Sequence, residues 1–142
     1  GQLVLHPAPG LGYGVLAPAV AAGAIPLAVH PAMVFTGTSL DLVRLRESYC
    51  AVTAPTPVLP IGQALVVEMG AEPVIVAEAD RAVYAEAVAT ATSFSAEIVR
   101  QSTSLLAGLG IDSPAGVLGP LLRSSVETAL TAAGEEPRFI LE

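Results

Sequence analysis

The two histidines of the chain each end a short apolar run, and each is followed by the same two residues. His6 lies in "LVLHPA" and His30 in "LAVHPA". An imidazole exchanges protons near neutral pH, so histidines at strand ends are candidates for acid–base chemistry. The alternative is a turn in which proline stops the strand and the imidazole binds a nearby carbonyl. The residues alone leave both interpretations open.

The spacing of the two histidines predicts that they share one edge of a sheet. Apolar runs over 2–6 and 24–30 have strand length, and residues 14–23 between them fit a short helix. A strand, helix and strand within about 30 residues form a unit whose two strands run parallel. His6 and His30 would then both lie at strand carboxyl ends, where open α/β sheets bind their ligands.

A glycine cluster, "PGLGYGV", follows the first predicted strand and invites comparison with a dinucleotide-binding loop. Gly10 and Gly12 fit the first two positions of G-x-G-x-x-G, but the third position is Val15. The acidic residue expected after the second strand is absent, and His30 stands there. We therefore interpret the cluster as a glycine-rich turn that enters a helix. A dinucleotide fingerprint, if the protein has one, is expected outside this chain.

The remaining chemistry-bearing residues form no metal-ligand set, P-loop or G-x-S-x-G motif. The single cysteine, Cys50, lies in "YCAVTA", which is typical of a buried strand, and a small apolar role is expected for it. One cysteine cannot form an internal disulfide, and the chain has no signal-peptide pattern. These features favour a reducing, cytoplasmic compartment.

The composition limits the partners. Of the 142 residues, 53% are hydrophobic and 13% charged, with a net charge of −7. Globular domains average about 25% charged residues, so we expect part of the surface to be covered by a partner or by the rest of a larger protein. An acidic chain without basic clusters argues against nucleic acid and anionic membranes. Residues 1–40 carry no charge, but their five prolines exclude a spanning helix.

The pattern of apolar residues predicts an α/β region followed by an all-α region, with a boundary at residue 78. Strands over 49–54 and 73–77 and helices over 40–46 and 61–70 continue the alternation begun at 2–30. Beyond residue 78 one long helix is expected from Asp80 to Leu109, with an apolar stripe along one face. A last helix is expected to have Ser113 as its N-cap and to end at Gly134.

Four segments of the chain together resemble a known family. They are "LVLHPAPGLGYGVLAP", "IPLAVHPAMVFTGT", "ALVVEMGAEPVIV" and "LLRSSVETAL". They resemble a bacterial, especially actinobacterial, group of Rossmann-like proteins with a C-terminal domain of unknown function 2520. That group looks like a relative of the reductases for ketopantoate, pyrroline carboxylate and 6-phosphogluconate. The resemblance covers nearly the whole chain, and "HPAMVFTGT" is its most specific part.

The resemblance implies an architecture and a function. Residues 1–78 would be the C-terminal part of a Rossmann-like α/β domain, and residues 79–142 an incomplete helical domain that forms a homodimer. The NAD(P)-binding half would lie before this chain. The implied activity is reduction of a small oxo acid, such as ketopantoate, with NADP or NAD, in its reduced form, as the cofactor. The alternative is a non-catalytic member that dimerises or binds a small ligand.

The resemblance also implies a set of site residues. The second His-Pro motif would line a substrate pocket, with His30 as its catalytic group. The implied assignments are His30, Glu86 and Ser93 for catalysis; His6, Pro31, Phe35, Thr36, Tyr84 and Thr90 for substrate binding; and His6 and Gly10 for cofactor binding.

Two departures from the family pattern bear on the mechanism. Many members carry His directly after the tyrosine of the long helix and Asn eight residues later, whereas this chain has Ala85 and Ser93. Superfamily reductases tend to place a proton donor and an orienting Asn on this helix. Either Glu86, Thr90 and Ser93 form a different pocket, or the reaction has changed or been lost.

Overall fold

A computed structural model describes residues 1–135, which belong to two compact units. The first unit, Gly1–Thr90, contains a four-stranded sheet and its helices, and the second begins at Ala91 and is helical. The predicted order, an α/β region followed by an all-α region, is confirmed. The division between the units falls within the long helix.

The sheet is mixed, with strand order β1-β2-β3-β4. Its strands are β1 (Leu3–His6), β2 (Ile25–Pro31), β3 (Tyr49–Thr53) and β4 (Glu72–Ile75). Strands β1 and β2 run parallel, β3 runs antiparallel to β2, and β4 runs parallel to β3. The carboxyl ends of β1 and β2 therefore share one edge of the sheet with the amino ends of β3 and β4.

Five α-helices follow the predicted order with shifted boundaries. They are α1 (Ala17–Ala21), α2 (Leu40–Leu45), α3 (Leu59–Glu68), α4 (Arg81–Gly108) and α5 (Pro114–Glu135). The helix expected over 14–23 is instead a 3-10 turn, Tyr13–Leu16, followed by α1. The break has a physical reason, because Pro18 lacks an N–H and lies in the first turn of α1, where that group would be unpaired anyway.

The ends of the two long helices test the predicted stop and start signals. Helix α4 extends over 28 residues, within one residue of the predicted bounds. Gly110 adopts a left-handed conformation after it, with φ of 82°. Helix α5 begins at Pro114 as predicted, and the Ser113 carbonyl accepts from Val117 N–H. The predicted end at Gly134 is wrong, because Gly134 does not adopt positive φ and the helix continues to Glu135.

The core of the first unit lies around the two central strands. Its buried apolar residues are Leu27, Val29, Cys50, Val52, Val66 and Ala71. Strands β2 and β3 are buried nearly throughout, as expected for continuous apolar runs with both faces covered. Cys50 is fully buried, and burial raises the pKa of its thiol, consistent with the expected apolar role.

The second unit exposes much of its apolar surface. Leu105 and Leu109, from the predicted stripe of α4, are 75% and 76% exposed. Several apolar side chains of α5 are also exposed: Val117, Leu121, Val126 and Leu130. Within residues 1–135, no helix is both long enough and apolar enough to cross a membrane. Dimerisation through these helices stays a prediction.

Gly62 allows α3 to approach the sheet closely. A Cβ at this position would lie 2.7 Å from both Leu27 Cδ1 and Val52 Cγ1, two buried core atoms. We expect Gly62→Ala to lower the free energy of unfolding by about 1–2 kcal/mol, because overpacking costs about 1–3 kcal/mol and exceeds the helix-propensity gain of about 1 kcal/mol. Urea denaturation measures the free energy of unfolding of each variant. Gly108→Ala, which meets no atom within 4 Å, is the control and should be neutral or stabilising; equal gains for both variants would contradict the prediction.

Candidate functional site

The two histidines lie at the same edge of the sheet. Because β1 and β2 are parallel, His6 and His30 both occupy strand carboxyl ends, which confirms the prediction from their spacing. His6 is opposite Ala28, so His30 lies two residues further along β2. Their surroundings are nevertheless different.

Both ring nitrogens of His6 are bound to the backbone of the turn that follows it. Nδ1 accepts from Ala8 N–H at 3.1 Å, and Nε2 donates to the Gly12 carbonyl at 2.6 Å. This assigns the ring proton to Nε2, because an amide N–H only donates and a carbonyl only accepts. The arrangement is that of a turn cap. The substrate and cofactor contacts predicted for His6 stay predictions, with neither ring nitrogen left over for them.

His30 binds a side chain instead of the turn. Its Nδ1 lies 2.6 Å from the Tyr84 hydroxyl of α4, and the two rings meet edge to face with centroids 5.5 Å apart. Within the described residues its Nε2 makes no hydrogen bond, so this nitrogen is available to a ligand. The structure thus brings together two of the predicted site residues, His30 and Tyr84.

A buried arginine completes this cluster, and the sequence analysis had not singled it out. The Arg81 side chain is 1% exposed and donates to the Ala8 carbonyl at 2.8 Å and to Thr53 Oγ1 at 3.1 Å, with a longer bond to the Ala51 carbonyl. Its guanidinium lies 5.4 Å from the centre of the Tyr84 ring. Among residues 1–135 no carboxylate forms an ion pair with it, and its Nε has no partner.

Burial and the Arg81 charge set the protonation of the pair. Burial lowers the pKa of His30 below its ordinary 6.5, and the nearby Arg81 charge lowers it further. Burial raises the pKa of Tyr84 above 10, although the Arg81 charge opposes that rise. Both groups are therefore neutral at pH 7. We assign the Tyr84 hydroxyl as donor to Nδ1, because a neutral phenol is the better donor, and this places the imidazole proton on Nε2.

The glycine-rich turn is bound by a carboxylate of the same chain. Tyr13 N–H and Gly14 N–H donate to the two oxygens of Glu78 at 2.8 and 2.9 Å. A Cβ at Gly12 would lie 1.8 Å from Glu78 Oε1, which explains the glycine there. The cluster is thus a turn, as predicted, but the element that it enters is a 3-10 helix. The Tyr13 and Gly14 N–H groups are not free for a dinucleotide phosphate, and the Glu78 charge would repel one.

The remaining residues of the second His-Pro motif lie in different surroundings. Pro31 is buried at the end of β2, and Phe35 is 60% exposed. Thr36 gives its N–H and its hydroxyl to the Asp41 carboxylate, and these bonds lower the pKa of Asp41. Their predicted substrate contacts stay predictions.

Helix α4 carries the other predicted residues, and the structure does not bring them to His30. Glu86 and Thr90 are exposed and form no hydrogen bond with His30. At about 100° per residue they lie about 200° and 240° around the helix from Tyr84, on the side away from the sheet. Ser93 is exposed and belongs to the second unit. Their assigned roles stay predictions.

Gly10 lies against the same helix, since a Cβ on it would be 3.4 Å from Ala85 Cβ. The loop after β1 therefore contacts the start of α4 at Arg81 and Ala85 and the preceding turn at Glu78. In the described part of the chain, no group of three or more His, Cys, Asp or Glu side chains could hold a metal ion.

A signal for Arg81 is present in the sequence. It occupies the first residue of α4, where the helix dipole disfavours a cation. A lone arginine in the acidic stretch "AEADRAVY" therefore indicates a partner elsewhere in the fold.

A sequence model of the family described as Domain of unknown function (DUF2520) matches residues 48–136. The chain belongs to this family. The matched segment includes Arg81, Tyr84 and all of α4, while His6 and His30 precede it.

A solved structure supports the fold. The chain is similar to protein TM1727 from Thermotoga maritima, with a TM-score of 0.73 and 16% sequence identity over 91% of this chain. At that identity the likeness concerns the fold, which is Rossmann-like. The match covers 49% of the TM1727 chain, so this chain spans about half of its length. No curated protein matches the sequence.

The contact between Glu78 and the glycine turn can be tested with a double-mutant cycle. Glu78→Ala should lower the free energy of unfolding by about 0.5–2 kcal/mol, the usual effect of losing a helix cap. Gly12→Ala should also destabilise the protein, because its Cβ displaces the carboxylate while its φ of −85° accommodates alanine. Chemical denaturation should show that Gly12→Ala lowers the free energy of unfolding by about 1 kcal/mol less in the Glu78→Ala background than in the wild type. Gly10→Ala is the control, and its effect on the free energy of unfolding should be the same with and without Glu78→Ala. If the effects of Gly12→Ala and Glu78→Ala were also simply additive, the contact would be contradicted.

Proposed function

We propose that the chain is part of an NAD(P)-dependent oxidoreductase that reduces a small oxo acid such as ketopantoate, with His30 acting on the substrate carbonyl. The observation that carries this proposal is the hydrogen bond between His30 Nδ1 and the Tyr84 hydroxyl at the ligand-binding edge of the sheet. It leaves the opposite ring nitrogen, Nε2, as a donor for a ligand oxygen.

The pair is suited to deliver a proton to an oxygen that becomes negative. Nε2–H donates to that oxygen and gives up its proton as the charge develops. Nδ1 then takes the Tyr84 hydroxyl proton, so the imidazole stays neutral and the phenol becomes a phenolate. The proton count balances, and the negative charge moves from the substrate oxygen to Tyr84, next to the Arg81 cation.

The dinucleotide is assigned to residues outside this chain. The turn around Gly12 does not fit its phosphates, because Glu78 already binds the two backbone N–H groups. A separate nucleotide-binding half agrees with the match to about half of TM1727. This chain would therefore supply the substrate side of the reaction.

The proposal extends to assembly and location. The exposed apolar residues of α4 and α5 support a homodimer through the helical unit. The net charge of −7 supports a small-molecule substrate over nucleic acid or a membrane as partner, and the single buried cysteine supports a cytoplasmic protein.

A second candidate is a member that binds a small ligand without catalysis. The residues that favour it are Ala85 and Ser93, at positions where many members of the group that the chain resembles carry His and Asn, and Glu86, which lies about 200° around α4 from Tyr84. In this case the edge around His30 would bind an oxo acid that is released unchanged.

Reduction of ketopantoate by the full-length protein with NADPH or NADH tests the proposal. We expect His30→Gln to lower kcat by about 100-fold or more, since general acid catalysis contributes about 10²–10⁴. The exposed Glu47→Gln is the matched control and should leave kcat within about twofold, because it makes the same removal of charge at a residue with no assigned role. Turnover that survives His30→Gln unchanged would remove the imidazole from the mechanism. Binding of the oxo acid without turnover would favour the second candidate.

The rate should also depend on pH in a definite direction. The neutral form of His30 is the active one, so kcat should fall as the pH drops through the pKa of His30. Because burial and the Arg81 charge lower that pKa, this fall should lie below pH 6.5. The raised pKa of Tyr84 keeps the phenol protonated up to pH 10. A kcat profile that instead falls as the pH rises through 6.5 would contradict a neutral donor.

A further inference from the structure

Arg81 is tied to segments that the sequence separates widely. Its guanidinium binds Ala8 in the loop after β1 and Ala51 and Thr53 in β3. The Thr53 hydroxyl in turn donates to the Val76 carbonyl, which follows β4. These bonds hold the first turn of α4 against β3 beside Ala51, the residue that pairs with His30 in the sheet.

The same side chain defines the place of Tyr84. The Tyr84 ring follows Arg81 by one turn of α4 and receives the guanidinium at 5.4 Å. The Tyr84 hydroxyl reaches His30 Nδ1 at 2.6 Å. A rotation of this turn of α4 would break the contact between Tyr84 and His30, and the three oxygen partners of Arg81 oppose such a rotation.

Among residues 1–135 the Arg81 guanidinium forms no ion pair. Its oxygen partners are two carbonyls and one hydroxyl, and all three are neutral. The Glu78 carboxylate binds the glycine turn but keeps its charge, which acts on Arg81 from a distance and raises the pKa of Arg81. A cation without an ion-pair partner beside the pair favours neutral His30 and a negative charge on Tyr84 or on a ligand.

We infer that Arg81 is a positioning residue for the His30–Tyr84 pair, which it holds in contact through its bonds to the β1 loop and β3 and beside which it places a positive charge that has no ion-pair partner among residues 1–135. The catalytic consequence of this inference rests on the proposed function. The geometry of the pair and the charge beside it can be tested without any activity.

Arg81 and Tyr84, both of α4, are the titratable groups with a described contact or charge effect on His30. The neighbouring titratable groups belong to other elements: Cys50 to β3, His6 to β1 and Glu78 to the turn before α4. Burial keeps the Cys50 thiol protonated by raising its pKa. The Arg81 charge lowers the pKa of His30, so removing that charge should raise this pKa.

The test compares Arg81→Met, which removes the charge and the hydrogen bonds, with Arg81→Lys, which keeps the charge. The pKa values of the two histidines are measured by ¹⁵N NMR titration of the full-length protein, with His6→Asn for assignment. We expect the pKa of His30 to rise in Arg81→Met and to remain closer to wild type in Arg81→Lys. In Arg100→Met, the matched control that removes an exposed arginine paired with Glu97, it should not move. Equal values in wild type and a folded Arg81→Met variant would overturn the inference, as would equal shifts in the Met and Lys variants.

Wild-type protein supplies a measurement for the case in which Arg81→Met does not fold. Arg81 Nε is buried without a partner, so its proton should exchange with water at least about tenfold more slowly than that of the exposed Arg100. Exchange as fast as at Arg100 would overturn the burial on which the inference stands.

Activity gives the catalytic part of the test. Where the wild type reduces the oxo acid, Arg81→Lys should lower kcat by about tenfold with little change in KM, because positioning acts on the transition state. An unchanged kcat in a folded Arg81→Lys variant would overturn the catalytic consequence. Absence of wild-type turnover would overturn the proposed function, while the pKa comparison would still show whether Arg81 acts on the His30–Tyr84 pair.

Discussion

The buried guanidinium of Arg81, which has no carboxylate in ion-pair contact within residues 1–135, constrains the arrangement of the first unit. Removing such a cation from water costs several kcal/mol unless oxygen atoms replace the solvent. In this fold the replacement comes from the Ala8 and Ala51 carbonyls and the Thr53 hydroxyl. These groups reach one point only when the loop after β1, strand β3 and the start of α4 are all in place. The position of Tyr84 beside His30 follows from the same requirement.

The glycine turn shows how a familiar pattern can serve a different anion. Successive backbone N–H groups in a turn bind any oxyanion that fits, whether a phosphate or a carboxylate. Here the anion is Glu78, and Gly12 provides the space it needs. The carboxylate joins the loop after β1 to the turn before α4. It thereby reinforces the arrangement that Arg81, three residues after Glu78, requires.

Local patterns predicted the parts of the fold that depend on local physics. The parallel pairing of β1 and β2 follows from a short crossover, and the length of α4 follows from its periodicity and from Gly110. The antiparallel direction of β3 relative to β2 could not be predicted from the spacing of the strands, because the apolar runs of buried strands look the same in both directions. The contacts of Glu78 and Arg81 could not be predicted from local patterns, because they join residues 28 to 73 positions apart.

The two His-Pro-Ala sequences show why residue identity alone cannot assign a role. In both, the proline ends a strand, but the chain after Pro7 turns back through Gly10 and Gly12. That return places the Ala8 N–H and the Gly12 carbonyl at the two nitrogens of His6. After Pro31 the chain continues toward Thr36 and Asp41, which bind each other. His30 therefore finds its partner on α4, 54 residues away, and keeps one nitrogen for a ligand. The backbone that follows each histidine decides between turn cap and candidate acid.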